Sequence, residues 1–199
     1  MVINGFTNHI EQIANLLRQG KVGLIPTDTL YGISCLAQNE KSVQRVYKIK
    51  GRELNKPFII LIDSVIRLGG FDINLSEPII KMLKKLWPNK VSVILKCVEN
   101  KFQYLHSGTN KLSFRVPKHK ELLELLEVSG PLVSTSANIS GKPPITNIKE
   151  AQETFADQID FYVEEGTLKS KATTVIELSE EGFKVIRQGD YIVDPLMLK

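Results

Sequence analysis

Three clusters of hydroxyl, amide and cationic residues stand out in this chain. Each follows an apolar or helical segment, where loops present reactive groups. The first is Pro26-Thr27-Asp28-Thr29-Leu30-Tyr31-Gly32, directly after the Lys21–Ile25 stretch. Two hydroxyls and a carboxylate alternate there, and Gly32 lets the backbone turn or approach a ligand closely. Thr and Asp also favour turns for local reasons, so a capped turn accounts for the same residues. The second is Lys48-Ile49-Lys50-Gly51-Arg52, with Lys56 close behind. Arg offers a planar fork to phosphate or carboxylate and Lys a mobile point charge, a pairing suited to a polyanion such as a nucleotide triphosphate. Cations at a helix end equally complement its dipole. The third, Ser134-Thr135-Ser136-Ala137-Asn138-Ile139-Ser140-Gly141, follows the apolar Pro131–Val133. Its hydroxyls and amide emerge at a strand end, the ligand side of an α/β sheet. Such side chains bond phosphate or an amine without charge repulsion.

Other devices are missing from the sequence. It holds no GxxxxGK[ST] phosphate loop, no GxGxxG and no GxSxG. His9, His106 and His119 lie outside the polar clusters, so a Ser-His-Asp arrangement is not expected, and His119 reads as a helix cap. Cys35 and Cys97 form no CxxC pair, which removes a zinc site and a disulfide framework. Trp87 reads as core, not as a base-stacking platform.

These clusters need a scaffold to bring them together. Asn8–Arg18, Lys41–Lys50, the segment opened by Ser76-Glu77-Pro78, Glu121–Glu127 and Asn147–Phe155 carry helical apolar spacing, with Asn8 as the cap of the first. Lys21–Ile25, Phe58–Ile62, Val91–Lys96, Leu112–Val116, Pro131–Ser134, Ile159–Val163, Thr174–Leu178 and Phe183–Arg187 read as strands. Their interleaving predicts an α/β fold, a mixed sheet with helices on its faces. The 199 residues fit one domain, 1–199, with enough chain to bury a core. The formal charge of +4 hides an asymmetry: residues 1–120 carry 19 Lys and Arg against 8 Asp and Glu, and residues 121–199 carry 7 against 14. A basic first part points to an anionic partner without choosing among nucleotide, nucleic acid and acidic protein. The start lacks a basic stretch followed by an apolar core, and Pro57–Ile62, the longest apolar run, is far short of the ~20 residues of a membrane helix. A cytoplasmic protein with reduced thiols and no membrane partner is expected.

Taken jointly, the motifs resemble the YrdC/TsaC family of threonylcarbamoyl-AMP synthases in its short form. The matching pieces are PTDTLYG (26–32), KGR (50–52) with KPF (56–58), WP before VSVIL (87–95), FRVP (114–117), STSANISG (134–141), TTVIEL (173–178) and IRQG (186–189), in the family's order. The resemblance implies a twisted open sheet around a central basic cavity. It also implies formation of threonylcarbamoyl-AMP and pyrophosphate from L-threonine, bicarbonate and ATP, with Mg²⁺ accompanying the ATP and no metal held by the protein. The product would pass to a downstream threonylcarbamoyl transferase complex acting on tRNA, giving threonylcarbamoyladenosine. By position, Lys50, Arg52, Ser136 and Asn138 would form the catalytic set. Lys50, Arg52, Lys56, Asn138 and Arg187 would hold ATP, and Thr29, Arg115, Ser136 and Thr173 would hold threonine. The chain departs from the family at Asn89-Lys90, where WPGP is frequent, at Thr173, where Ser is common, and at Leu61, where some members have His. Direct binding of double-stranded or ribosomal RNA by the same basic cavity is the alternative function.

Overall fold

The computed structural model describes residues 1–51, 57–179 and 182–194. Its strands are β1 (Val2–Asn4), β2 (Gly23–Pro26), β3 (Tyr31–Leu36), β4 (Ile59–Leu61), β5 (Val91–Lys96), β6 (Lys111–Arg115), β7 (Leu132–Ser136), β8 (Phe161–Glu164), β9 (Thr174–Ser179) and β10 (Gly182–Arg187). They form one ten-stranded sheet in the order β1-β8-β2-β3-β7-β4-β6-β5-β9-β10. The pairs β1–β8, β8–β2, β4–β6 and β5–β9 are parallel and the others antiparallel, so the sheet is mixed, as the sequence pattern predicts.

Helices α1 (Ile10–Arg18), α2 (Glu40–Lys50), α3 (Glu77–Leu86), α4 (Gln103–His106), α5 (Lys120–Ser129) and α6 (Ile148–Phe155) pack around the sheet. Local chemistry sets their ends. Asn39 accepts from the Ser42 amide to start α2, and Gly51 at φ 56° stops it in the left-handed region. His119 accepts from Leu122 to start α5, as expected. Asn8 does not cap α1. It sits at φ 63° in a turn closed by His9 N donating to Phe6 O (2.8 Å), and His9 precedes the helix without a side-chain cap bond. Burial of Phe6 (1% exposed) fixes that turn and overrides the local preference.

Side chains alternate across a strand, and here the two faces of the sheet have different fates. Ile33, Cys35, Val133, Ile60, Phe114, Val93 and Ile176 point to one face and join the larger core cluster, with Val43, Val46 and Tyr47 of α2 and Leu83 and Leu86 of α3. On the other face, Leu36, Leu132 and Leu61 form a row in register, joining the second cluster with Ile13, Ala14 and Leu17 of α1 and Leu122, Leu125 and Leu126 of α5. One step along the same strands that row becomes Ser34, Ser134, Ile59 and Ser113. Small hydroxyl residues there leave room that leucines would fill, and this half of the face is open.

One ion pair ties the β8 side of the sheet to α2. Arg45 reaches Asp160 at 2.5 Å, and the Val22 amide donates to the same carboxylate oxygen at 2.7 Å. Burial works against this carboxylate, yet the hydrogen bonds from Arg45 and Val22 outweigh it and hold Asp160 below its ordinary range. Because the folded pKa is depressed, the stabilisation is present above the unfolded value near 4 and lost as pH falls through the folded value. Asp160→Asn is expected to lower stability at pH 7 by about 1 kcal/mol, the scale of a partly exposed pair. The gap between variant and wild type should narrow in urea melts taken below about pH 4. An unchanged gap would show that the charge contributes nothing.

Candidate active site

The open half of the sheet face is a cavity of ≈ 490 Å³. That volume suits a nucleotide or metabolite, since small-molecule sites run about 300–1,000 Å³. Thr29, Arg115, Ser136, Thr173 and Arg187 all line it, so five of the sequence-predicted site residues, spread over 159 positions of chain, share one space. Among the described lining residues are three cations, Lys111, Arg115 and Arg187, and no carboxylate.

Lys50 and Asn138 stand behind Ser136. Lys50 is 2% exposed. Its Nζ donates to the Ser136 carbonyl at 2.7 Å and also to Asn138 Oδ1. Ser136 Oγ donates to the same Asn138 oxygen at 2.8 Å, and Asn138 Nδ2 donates to the Lys142 carbonyl. The end of α2 is thereby tied to the end of β7, placing an ammonium group beside the cavity wall. Arg52 and Lys56 lie outside the described residues; Pro57 and Phe58, which follow them, line the cavity.

Two arginines are fixed differently. Arg115, 3% exposed, donates through Nη2 to Asp28 and through Nε to Asn89 O at 3.0 Å. Asp28 also accepts from the Lys118 amide at 3.1 Å. Burial depresses the Arg115 pKa while Asp28 opposes the shift; the guanidinium stays charged because its ordinary value is so high. Arg187 donates through Nε and Nη2 to the Thr173 carbonyl (3.2 and 2.9 Å) and through Nη2 to the Thr173 hydroxyl (3.1 Å), and burial lowers its pKa as well. Ser92 meets the same Thr173 hydroxyl at 3.2 Å.

The first cluster is both a turn and a wall. Thr27 Oγ1 accepts from the amides of Thr29 and Leu30 and donates to Leu30 O, closing the hairpin tip between β2 and β3. That tip reaches β6, three strands away from β3, through Asp28 and Arg115. Tyr31 and Gly32, which belong to the loop in the sequence reading, are the first residues of β3. Tyr31 OH accepts from the Glu165 amide (2.9 Å) and donates to Gly166 O (2.8 Å), steadying the segment that leads to Thr173. Asp28 as the Arg115 partner, Ser134 on the wall and Ser92 beside Thr173 were not among the predicted site residues. For Ser134 the signal is a polar residue at every second position of a strand, as Ser134 and Ser136 of β7 show; Asp28 in the hairpin tip and Ser92 in β5 carry no such signal.

Glycine is required where the chain crosses behind Thr173. A Cβ at Gly189 would lie 2.2 Å from Ala172 O and 2.3 Å from the Thr173 carbonyl carbon, both backbone atoms that no rotamer change can move. Gly189→Ala is therefore expected to displace the 172–173 segment and cost about 1–3 kcal/mol, read as a fall in melting temperature. An unchanged melt would mean that the crossing is looser than described.

A mixed α/β sheet carries a cation-walled, hydroxyl-rich cavity on one half-face, a lining whose charge complements a small anion. Comparison with known proteins makes the class specific. The family model Sua5_yciO_yrdC, described as "Telomere recombination", matches residues 15–189, and the chain belongs to the Sua5/YciO/YrdC family. A threonylcarbamoyl-AMP synthase of Pyrococcus abyssi is 32% identical over 178 residues, covering 88% of this chain and 52% of the relative. One from Pseudoalteromonas translucida is 34% identical over 152 residues, covering 75% of this chain and 81% of the relative. The crystal structure of P. abyssi Sua5 complexed with L-threonine superposes with a TM-score of 0.85 at 30% identity, covering 95% of this chain and 57% of that one. The chain thus spans about half the length of the P. abyssi protein.

Proposed function

We propose that the chain is a threonylcarbamoyl-AMP synthase. The reaction joins the amine of L-threonine to bicarbonate with loss of water. A carbamate oxygen then attacks the α-phosphorus of ATP, and pyrophosphate leaves. The observation that carries this reading is the Lys50–Ser136–Asn138 corner beside a cavity walled by Arg115 and Arg187. The names of the relatives and the threonine complex of P. abyssi Sua5 support it.

The residue types suit the chemistry. A carbamate and an α-phosphate repel each other, and Lys50, Arg52, Lys56 and Arg187 would neutralise the phosphates as charge gathers on the leaving group. Asn138 would hold ATP, with Ser136 between the two ligands. Arg115 would take the threonine carboxylate, with Thr29 and Thr173 beside it. Mg²⁺ would arrive on the ATP phosphates; among the described residues the wall offers hydroxyls and cations and no carboxylate, which suits a metal delivered by its nucleotide. Ser136 Oγ donates to an amide oxygen, and among the described residues it makes no hydrogen bond to a His or carboxylate that could take its proton. Catalysis is thus positioning and charge neutralisation, without an acyl- or adenylyl-enzyme. Intact-mass spectrometry during turnover should find the unmodified chain; a trapped adduct would contradict this mechanism.

The adenylate would feed a transferase acting on tRNA. Among the described residues no helix is long and apolar enough to cross a membrane, and a cytoplasmic setting fits a supply line to tRNA. A cavity of this volume admits a nucleotide and an amino acid but not a duplex, which favours the enzyme over the RNA-binding alternative. The test is pyrophosphate release from ATP with threonine and bicarbonate omitted in turn. Dependence on both is expected. Binding to duplex RNA that weakens steeply with salt, without such turnover, would favour the alternative.

A further inference from the structure

Strand β6 presents Lys111, Ser113 and Arg115 at alternate positions, and all three line the cavity. Ser113 Oγ is shielded from solvent and has no hydrogen-bond partner among the described residues. Its neighbours in register are Ile59 on β4 and Ile94 on β5, also on the wall. A buried hydroxyl without a partner is costly to keep, and the two isoleucines that flank it across the strands offer none. Rotation about one side-chain bond would turn this oxygen to the cavity. Ser113 and Arg115 are two residues apart on one strand, about 6.7 Å. Both line the cavity, so the two side chains face one ligand space.

We infer that Ser113 reads the side-chain hydroxyl of the amino-acid substrate, with Ile59 and Ile94 receiving its methyl group. The inference rests on the threonine-using reaction proposed above. It makes Ser113 a specificity residue: one hydroxyl between two isoleucines matches a β-carbon that bears one hydroxyl and one methyl. Sites that hydrogen-bond a substrate hydroxyl discriminate against analogues lacking it, because their own polar group is then left unpaired.

The test compares wild type with Ser113→Ala by calorimetric titration of L-threonine and of L-2-aminobutyrate, which keeps the carbon skeleton and lacks the hydroxyl. The KM for ATP and the melting temperature of the ligand-free protein are measured alongside. Threonine affinity should fall about tenfold, while 2-aminobutyrate affinity and the KM for ATP stay unchanged. The free protein should melt at the same or a higher temperature, because an orphaned hydroxyl has gone. A purely structural role would lower the melting temperature and weaken both amino acids alike, overturning the assignment. Equal threonine affinity in the two proteins, or a loss confined to ATP, would overturn it as well. Failure of the wild type to release pyrophosphate in the presence of threonine would instead remove the reaction itself.

Discussion

Lys50→Ala is expected to lower threonine- and bicarbonate-dependent pyrophosphate release by about 10²–10³-fold, the scale of removing one preorganised electrostatic contact to a transition state. Lys50 is buried, and its ammonium meets both the Ser136 carbonyl and the Asn138 side chain. Its removal takes a positive charge from beside the cavity and leaves two oxygens without that donor. The second consequence is a stability cost of about 1–3 kcal/mol, so circular dichroism and a melt must accompany the assay. Asn138→Ala separates the effects. It keeps the ammonium but removes the oxygen shared by Lys50 and Ser136, and a smaller fall in turnover is expected. Arg52→Ala should follow Lys50→Ala if the sequence-derived phosphate role holds. Folded variants of Lys50 and Arg52 that both retain full turnover would move the catalytic centre elsewhere.

Asp28→Ala carries the largest expected effect on stability. Arg115 is 3% exposed, and Asp28 is its carboxylate partner. Removing one partner of a buried ion pair strands the other charge, which typically costs about 3–5 kcal/mol. In a chain of this size that corresponds to a fall in melting temperature on the order of 6–20 °C. Removing both charges should be less harmful than removing one, because an apolar side chain does not need to be solvated. Asp28→Ala combined with Arg115→Met should therefore recover part of the loss in urea denaturation while abolishing threonine binding. If the double variant were no more stable than Asp28→Ala, the damage would come from the hairpin tip and not from the stranded guanidinium.

Much of the fold was legible in the sequence because its signals are local. Val43, Val46 and Tyr47 recur at helical spacing and are buried in α2; Val91–Lys96, a short run rich in β-branched residues, is β5. Trp87 is core, with its indole donating to Val91 O at 2.7 Å. Where local signals were weak or overridden, the reading failed. Strand β3 was not anticipated: its first residues, Tyr31 and Gly32, fall in the polar loop of the sequence reading, and Gly32 and Ser34 carry no strand signal of their own until two strands flank them. Strand β1 has three residues and gains its place by pairing with β8, 160 positions away, with Val2 beside Tyr162 and Ile3 beside Val163. Asn8 lost its capping role to the burial of Phe6.

The candidate site divides in the same way. Residue type alone marked the polar clusters that hold Thr29, Lys50, Ser136 and Asn138, because charge and hydrogen-bonding capacity belong to each side chain whatever surrounds it; Arg115, Thr173 and Arg187 were marked only by the resemblance to the YrdC/TsaC family. Which of them meet, and through whom, required the sheet. Register across β3, β7, β4 and β6 places the serines in one row beside a row of leucines, and the curl of a hairpin tip brings Asp28 to Arg115. Those facts arise from pairings between distant segments, and hydrogen-bonded register is a property of the assembled sheet that no single segment encodes.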